Sequence, residues 1–180
     1  MTMLSTYKNI LKQERDSEKV ERYDRLYMDI ATRVAGMSYA LRARVGAVIV
    51  KDGRIISMGW NGMPSGWKND CEYETFFEGN RQLLDRKLVT REEVLHAETN
   101  AIAKLARDGQ SSQDATMYLT LAPCMECAKL IHQSGIKRLV YLEDYRKTSG
   151  LDFLYETPNF EITKLTMENE QYGTGKEIFR

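Results

Sequence analysis

Apolar positions along the chain change rhythm several times. Val20, Tyr23, Tyr27, Ile30, Val34 and Met37 step by three and four, which predicts an amphipathic helix of about five turns. The stretch RVGAVIVKDGRIISMGWNG turns to strand character. Residues 45–50 are apolar almost throughout, as in a strand covered on both faces, and Asp52-Gly53 reads as the turn of a hairpin. LHAETNAIAKLARDG returns to helix, with Ala97, Ala101 and Leu105 spaced by four and Asp108-Gly109 as a stop. ATMYLT (115–120) then predicts a strand, residues 123 to about 134 a helix, and IKRLVYL (136–142) a second strand. Strand–helix–strand units of this kind are parallel and right-handed in nearly all proteins. A weaker helix and a short strand near 160–163 close the pattern.

Between these segments the rhythm fails. Residues 1–17 are polar and read as a loose or peripheral arm, and 164–180 as a C-terminal tail. Residues 60–95 are rich in turn formers and charge, an irregular insertion with at most one short helix; loops this long are usually functional or mobile. The expected fold is α/β: a single domain over 1–180, built as a three-layer α/β/α sandwich around a mixed five-stranded sheet that opens with a hairpin and ends parallel.

Charge narrows the function classes. Lys plus Arg and Asp plus Glu are equal at 26 each, so the formal net charge is zero. That balance gives no footprint for long nucleic acid, whose binding neutralises many phosphates, whereas a small charged ligand needs only a local cluster. Three cysteines do not form a secreted disulfide framework. Lys8 and Lys12 interrupt the N-terminal segment, which lacks a signal-peptide core. The longest aliphatic run, VGAVIV, is too short to span a bilayer. The expectation is a soluble, cytoplasmic protein with no membrane partner.

One of only two histidines, His96, opens the second helix two residues before Glu98. Downstream, LAPCMECAKLIHQSG places Cys124 and Cys127 three apart at another helix start, after Pro123. Cys-x-x-Cys serves zinc binding or redox exchange, but a thioredoxin-type motif has no use for a His-x-Glu partner. Two thiolates and an imidazole are three protein ligands, the set that leaves a fourth zinc position for water. Cys71, in the irregular segment, is a candidate fourth ligand that would close the site. Both thiolates lie near a helix N-terminus, where the dipole favours anions. Glu98, about 200° round the helix from His96, is free to act as a proton shuttle beside the metal rather than as a ligand.

H-x-E followed by P-C-x-x-C is the known signature of zinc nucleobase deaminases, matched here. RVGAVIVKDGRIISMGWNGMPSG, HAETNAI, LAPCMECAKLI and SGIKRLVY together resemble the deoxycytidylate deaminases, including phage members, across roughly residues 41–145. The resemblance implies a cytidine deaminase-like fold and hydrolytic conversion of dCMP to dUMP, supplying the dTTP pathway. It implies one catalytic zinc per chain on His96, Cys124 and Cys127, with Glu98 as general acid/base. It also implies that Arg42 meets the substrate phosphate, Asn61 the sugar and Tyr145 the base pocket, with Ala97 a further substrate-binding position. Trp60, Gly62, Met63 and Arg107 correspond to positions tied to regulation, with dCTP activating and dTTP inhibiting, each triphosphate carrying magnesium. The expected assembly is a homohexamer, in the host cytoplasm if phage-encoded.

The chain departs from the family where GYNG reads GWNG and CSRA reads ALRA. A second, structural zinc is not expected, because Cys71 and His132 alone are too few for a closed shell. Two other readings fit less of the sequence: a cytidine or other nucleoside deaminase of the same superfamily, and a catalytically silent zinc-stabilised interaction module. Retention of Glu98 argues against the second, because a purely structural zinc needs no unligated acid.

Overall fold

A computed structural model describes residues 3–78 and 84–166. The first element is a single helix, α1 (Met3–Ala35). The loose arm expected over 1–17 is therefore helical from Met3. The segment contains no Gly or Pro and is rich in straight-chain Lys, Glu, Arg and Leu, which favour helix without needing a buried face. The helix buries Asp24, Tyr27, Met28, Ala31, Val34 and Ala35, while Val20, Tyr23 and Met37 of the expected apolar stripe remain exposed.

Five strands follow α1 into one mixed sheet. The strands are β1 (Gly46–Lys51), β2 (Arg54–Trp60), β5 (Thr116–Leu121), β6 (Arg138–Glu143) and β7 (Glu161–Lys164), in the order β2-β1-β5-β6-β7. β1 runs antiparallel to both neighbours, and β5, β6 and β7 are mutually parallel. Asp52 (φ 51°) and Gly53 (φ 72°) both adopt positive φ, the backbone of the tight hairpin the dipeptide predicts. Alternation sorts the side chains. Ala47, Ile49, Met117, Leu119, Leu139 and Tyr141 face one core, and Val48, Val50, Tyr118 and Val140 face the other.

α1 covers the second of these cores. The first is covered by α2 (Ala97–Asp108), α3 (Met125–Gln133) and α4 (Ser149–Tyr155). The result is the three-layer arrangement expected from the sequence. Close approach of α2 to the sheet depends on Gly59, where a Cβ would stand 2.3 Å from the Ala97 carbonyl oxygen. Helix α3 begins later than expected. Pro123 precedes the N-cap, and Cys124 itself takes the extended N-cap conformation (φ −71°, ψ 170°).

Among its described residues the insertion carries no helix, and strands replace the irregular course expected. β3 (Glu72–Glu78) pairs antiparallel with β4 (Leu84–Thr90) as a separate two-stranded sheet. β3 mixes glutamates with aromatics and β4 mixes charged with aliphatic residues, and Tyr73 and Phe76 stay exposed, so the strands show no clear apolar rhythm in sequence. Of the C-terminal tail, Lys164 ends β7 and Leu165 is buried in the α1 core; residues 167–180 lie outside the described part.

Candidate active site

Two helix N-termini converge beside the end of β5. His96 is the N-cap of α2, Cys124 the N-cap of α3, and Cys127 the third residue of α3. His96 Nδ1 lies 3.3 Å from Cys127 Sγ and 3.6 Å from Cys124 Sγ, and the three donor atoms all fall within 4.8 Å of one another. Tetrahedral zinc with Zn–N of about 2.0 Å and Zn–S of about 2.3 Å has ligand–ligand edges of roughly 3.5–3.8 Å. The donor set therefore fits zinc in both chemistry and spacing. Cys71 does not join it. That thiol is buried with Ala40 and Val94 in a small separate cluster, against which Met63 packs.

The sulfurs and the imidazole are already coupled. Hydrogen bonds from the Cys127 thiol, then from the His96 ring, hold the Cys124 thiol down to about 3. The same bond to Cys124, reinforced by burial, pushes Cys127 up, so the more buried sulfur keeps its proton and Cys124 carries the negative charge. The bond to Cys124 raises His96, against desolvation. Metal binding to such a set releases protons, which makes affinity pH-dependent.

Glu98 is in the first turn of α2 and only 4% exposed. Burial raises its carboxyl pKa, and the Cys127 thiol reaches the carboxylate. The acid thus sits against the ligand set without belonging to it.

A cavity of about 370 Å³ opens over His96, Glu98 and Cys124. Arg42, Asn61, Ala97 and Tyr145 all line it, so the structure gathers every residue singled out for substrate contact. The Asn61 side chain also holds backbone: its Oδ1 accepts from Val45 N at 2.8 Å, and its Nδ2 donates to the Ala43 carbonyl at 2.8 Å. One amide hydrogen and one lone pair remain for a ligand.

Comparison with known proteins agrees with this geometry. A sequence profile of the cytidine and deoxycytidylate deaminase zinc-binding region matches residues 21–143. The chain belongs to this family. Deoxycytidylate deaminase of Enterobacteria phage T4 is 37% identical over 172 residues, spanning 79% of this chain and 89% of its own. The human deoxycytidylate deaminase is 37% identical over 120 residues, 66% of this chain and 63% of its own. The crystal structure of dCMP deaminase from the cyanophage S-TIM5 in complex with dCMP and dUMP superposes with a TM-score of 0.68 at 36% identity, covering 78% of this chain and 95% of that one.

In this deaminase three further polar residues line the cavity that the sequence reading passed over: Glu72, Thr90 and Arg146. Arg146 stacks its guanidinium 5.5 Å from the ring centre of Tyr145, and adjacency to Tyr145 was the only local signal for it. Glu72 and Thr90 lie in the misread insertion.

The positions singled out for regulation lie outside the cavity. Trp60 accepts a hydrogen bond at its carbonyl from Asn100 Nδ2 (2.9 Å), and Lys104 Nζ sits 4.5 Å over its ring. Gly62 and Leu95 exchange two backbone hydrogen bonds, at 3.1 and 2.9 Å, which ties the turn to the residue before His96. Arg107 is exposed in the last turn of α2 and paired with Asp108 at 3.0 Å. Among the described residues, no helix is long and apolar enough to cross a membrane.

Proposed function

We propose that this deaminase converts dCMP and water to dUMP and ammonia, with zinc held by His96, Cys124 and Cys127. One observation carries the reading: a buried carboxylate, Glu98, abuts the three-donor set at the floor of a cavity whose wall includes Arg42 and Arg146. Identity of 36–37% to proteins named as dCMP deaminases supports the choice of substrate. Zinc, when bound, supplies Lewis acidity that makes water nucleophilic near neutral pH.

The chain's own residues do the rest. Glu98 takes one proton from the attacking water and delivers it to the ring nitrogen beside the amino-bearing carbon. It then moves the second, from the hydroxyl newly bound to that carbon, to the amine, so that ammonia leaves and a carbonyl remains. Its burial keeps that proton from exchanging with bulk solvent. Ala97, fully buried at the cavity floor, offers no side chain that would obstruct the base, and Tyr145 flanks it. Asn61 keeps its backbone bonds while turning its spare donor and acceptor to the sugar. Arg42 takes the phosphate through charge-assisted hydrogen bonds, with Arg146 as a second cation on the rim.

The same reading includes a homohexamer that works in the cytoplasm, that of the host for a phage-encoded chain, and feeds dTTP synthesis. dCTP activates it and dTTP inhibits it, each with magnesium, at the turn carrying Trp60, Gly62 and Met63, with Arg107 taking part. The Gly62–Leu95 ladder supports this, since a ligand at the turn would act one residue from His96. The deciding experiment is ammonia release from dCMP, CMP, deoxycytidine, dCTP and adenosine. The reading expects dCMP to have the highest kcat/KM; equal efficiency on deoxycytidine would replace it with a nucleoside deaminase.

A further inference from the structure

We propose that Glu72 is a positioning residue for phosphate recognition, acting through Arg42, and that the β3–β4 hairpin exists at this place to supply it. The inference rests on the dCMP reading above, in which Arg42 meets the phosphate. Arg42 belongs to the stretch between α1 and β1, where no helix or strand fixes its backbone. The hairpin provides what that stretch lacks. Glu72, only 7% exposed, accepts hydrogen bonds from Leu41 N (3.2 Å to Oε1, 3.1 Å to Oε2) and from Arg42 N (3.3 Å to Oε1). Directly across the hairpin, Thr90 is its register partner, and Thr90 Oγ1 accepts from Arg42 Nη1 at 2.9 Å. One rung of the hairpin therefore holds both ends of the arginine.

Chemistry explains the residue types. A carboxylate in the wall of a phosphate site would repel the ligand, and burying one without hydrogen bonds is costly. Here its oxygens are committed to backbone N–H groups, which a charged acceptor binds more strongly than a neutral one. The neutral Thr90 hydroxyl orients the guanidinium without discharging it. Among the described residues, Arg42 has no ion-pair partner, so its charge stays available to an anion. The rung is itself anchored: Cys71, next to Glu72, is buried with Ala40 and Val94, and its carbonyl accepts from Arg91 N at 2.9 Å. Fixing a long side chain before the ligand arrives removes the ordering penalty it would otherwise add to binding.

The test compares Glu72→Gln, Thr90→Val and Arg42→Ala, singly and in pairs, in the zinc-loaded chain with dCMP and deoxycytidine as substrates. Glu72→Gln is expected to raise KM for dCMP about tenfold with kcat changed by less than about threefold, and to narrow the preference for dCMP over deoxycytidine by a similar factor. Combined with Arg42→Ala it should add almost nothing, because the two act on one interaction. Equal losses on both substrates, or full additivity with Arg42→Ala, would overturn the proposal and leave Glu72 a structural clamp. Thr90→Val, which removes a single hydroxyl acceptor, gives the same readout if Glu72→Gln does not fold. A native chain that releases no ammonia from dCMP would instead overturn the dCMP reading, which separates the two failures.

Discussion

Gly150, in the first turn of α4, faces the loop that carries Cys124, the first of the candidate cysteine ligands: a Cβ there would stand 2.2 Å from the Pro123 carbonyl oxygen and 2.8 Å from the Cys124 carbonyl carbon. The fourth helix is thus a backstop for the ligand loop. Gly150→Ala is expected to destabilise the fold by about 1–3 kcal/mol, the range for overpacking, and to speed zinc loss to a chelator. Urea denaturation and chelator-release kinetics measure the two effects. Unchanged release would show that α4 does not brace the loop.

Metal analysis of the purified chain should find about one zinc, from one complete three-donor set. Cys124→Ala should carry almost none, and stripping the native chain should lower its melting temperature, because binding free energy is folding free energy at such sites. Two equivalents of zinc, or full activity without metal, would contradict the assignment.

Glu98→Gln should retain zinc and fold and lose about 10²–10⁴-fold in kcat. The amide keeps the shape of the buried side chain but cannot accept and return a proton. A zinc-loaded variant with near-native turnover would remove Glu98 from the proton path.

Asp24 on α1 is buried, accepts both Arg138 nitrogens at 2.7 and 2.6 Å, and takes the Tyr118 hydroxyl proton bond at 2.8 Å. Asp24→Asn leaves the Arg138 guanidinium with only the exposed Glu161, 3.7 Å away, as counter-charge and should cost about 3 kcal/mol by equilibrium unfolding. Burial, then the bond to Asp24, raises the Tyr118 pKa above its ordinary value of 10.0. The folded state therefore holds this proton more tightly than the unfolded state, and its stabilising contribution is full below pH 10 and is lost as the pH rises further. Replacement of Asp24 should flatten that alkaline decline; an unchanged slope would deny the coupling.

The regulatory reading is testable without disturbing the fold. A Cβ at Gly62 would meet only Trp60 Cδ1, at 3.9 Å, so Gly62→Ala fits, and the exposed Arg107 tolerates Arg107→Glu. Saturation by dCMP should shift oppositely with dCTP and dTTP by a coupling of about 1–3 kcal/mol, and Arg107→Glu should abolish the shift. Hyperbolic curves that neither nucleotide moves would reject regulation and leave the deaminase reading standing.

Local rhythm carried much of the fold. The apolar run in 45–50, the strand pattern in 115–120, the turn at Asp52-Gly53 and the spacing of Ala97, Ala101 and Leu105 are short-range properties, and each maps onto the element it predicts. The His96, Glu98, Cys124 and Cys127 cluster was legible for a related reason: each pair starts a helix, and helix starts have local signatures. Other features were decided only in three dimensions. The charged stretches 72–78 and 84–90 became strands because they find each other, although Tyr73 and Phe76 remain exposed. Asp24 is buried because Arg138, 114 positions away, meets it across the sheet. Cys71 stays out of the ligand set because its strand start packs under Ala40 rather than beside His96. Glu72 gains its place against Arg42 from the same packing. In each case the deciding free energy belongs to a pair of groups far apart in sequence, and a charged residue has the same local pattern whether its partner is water or another residue.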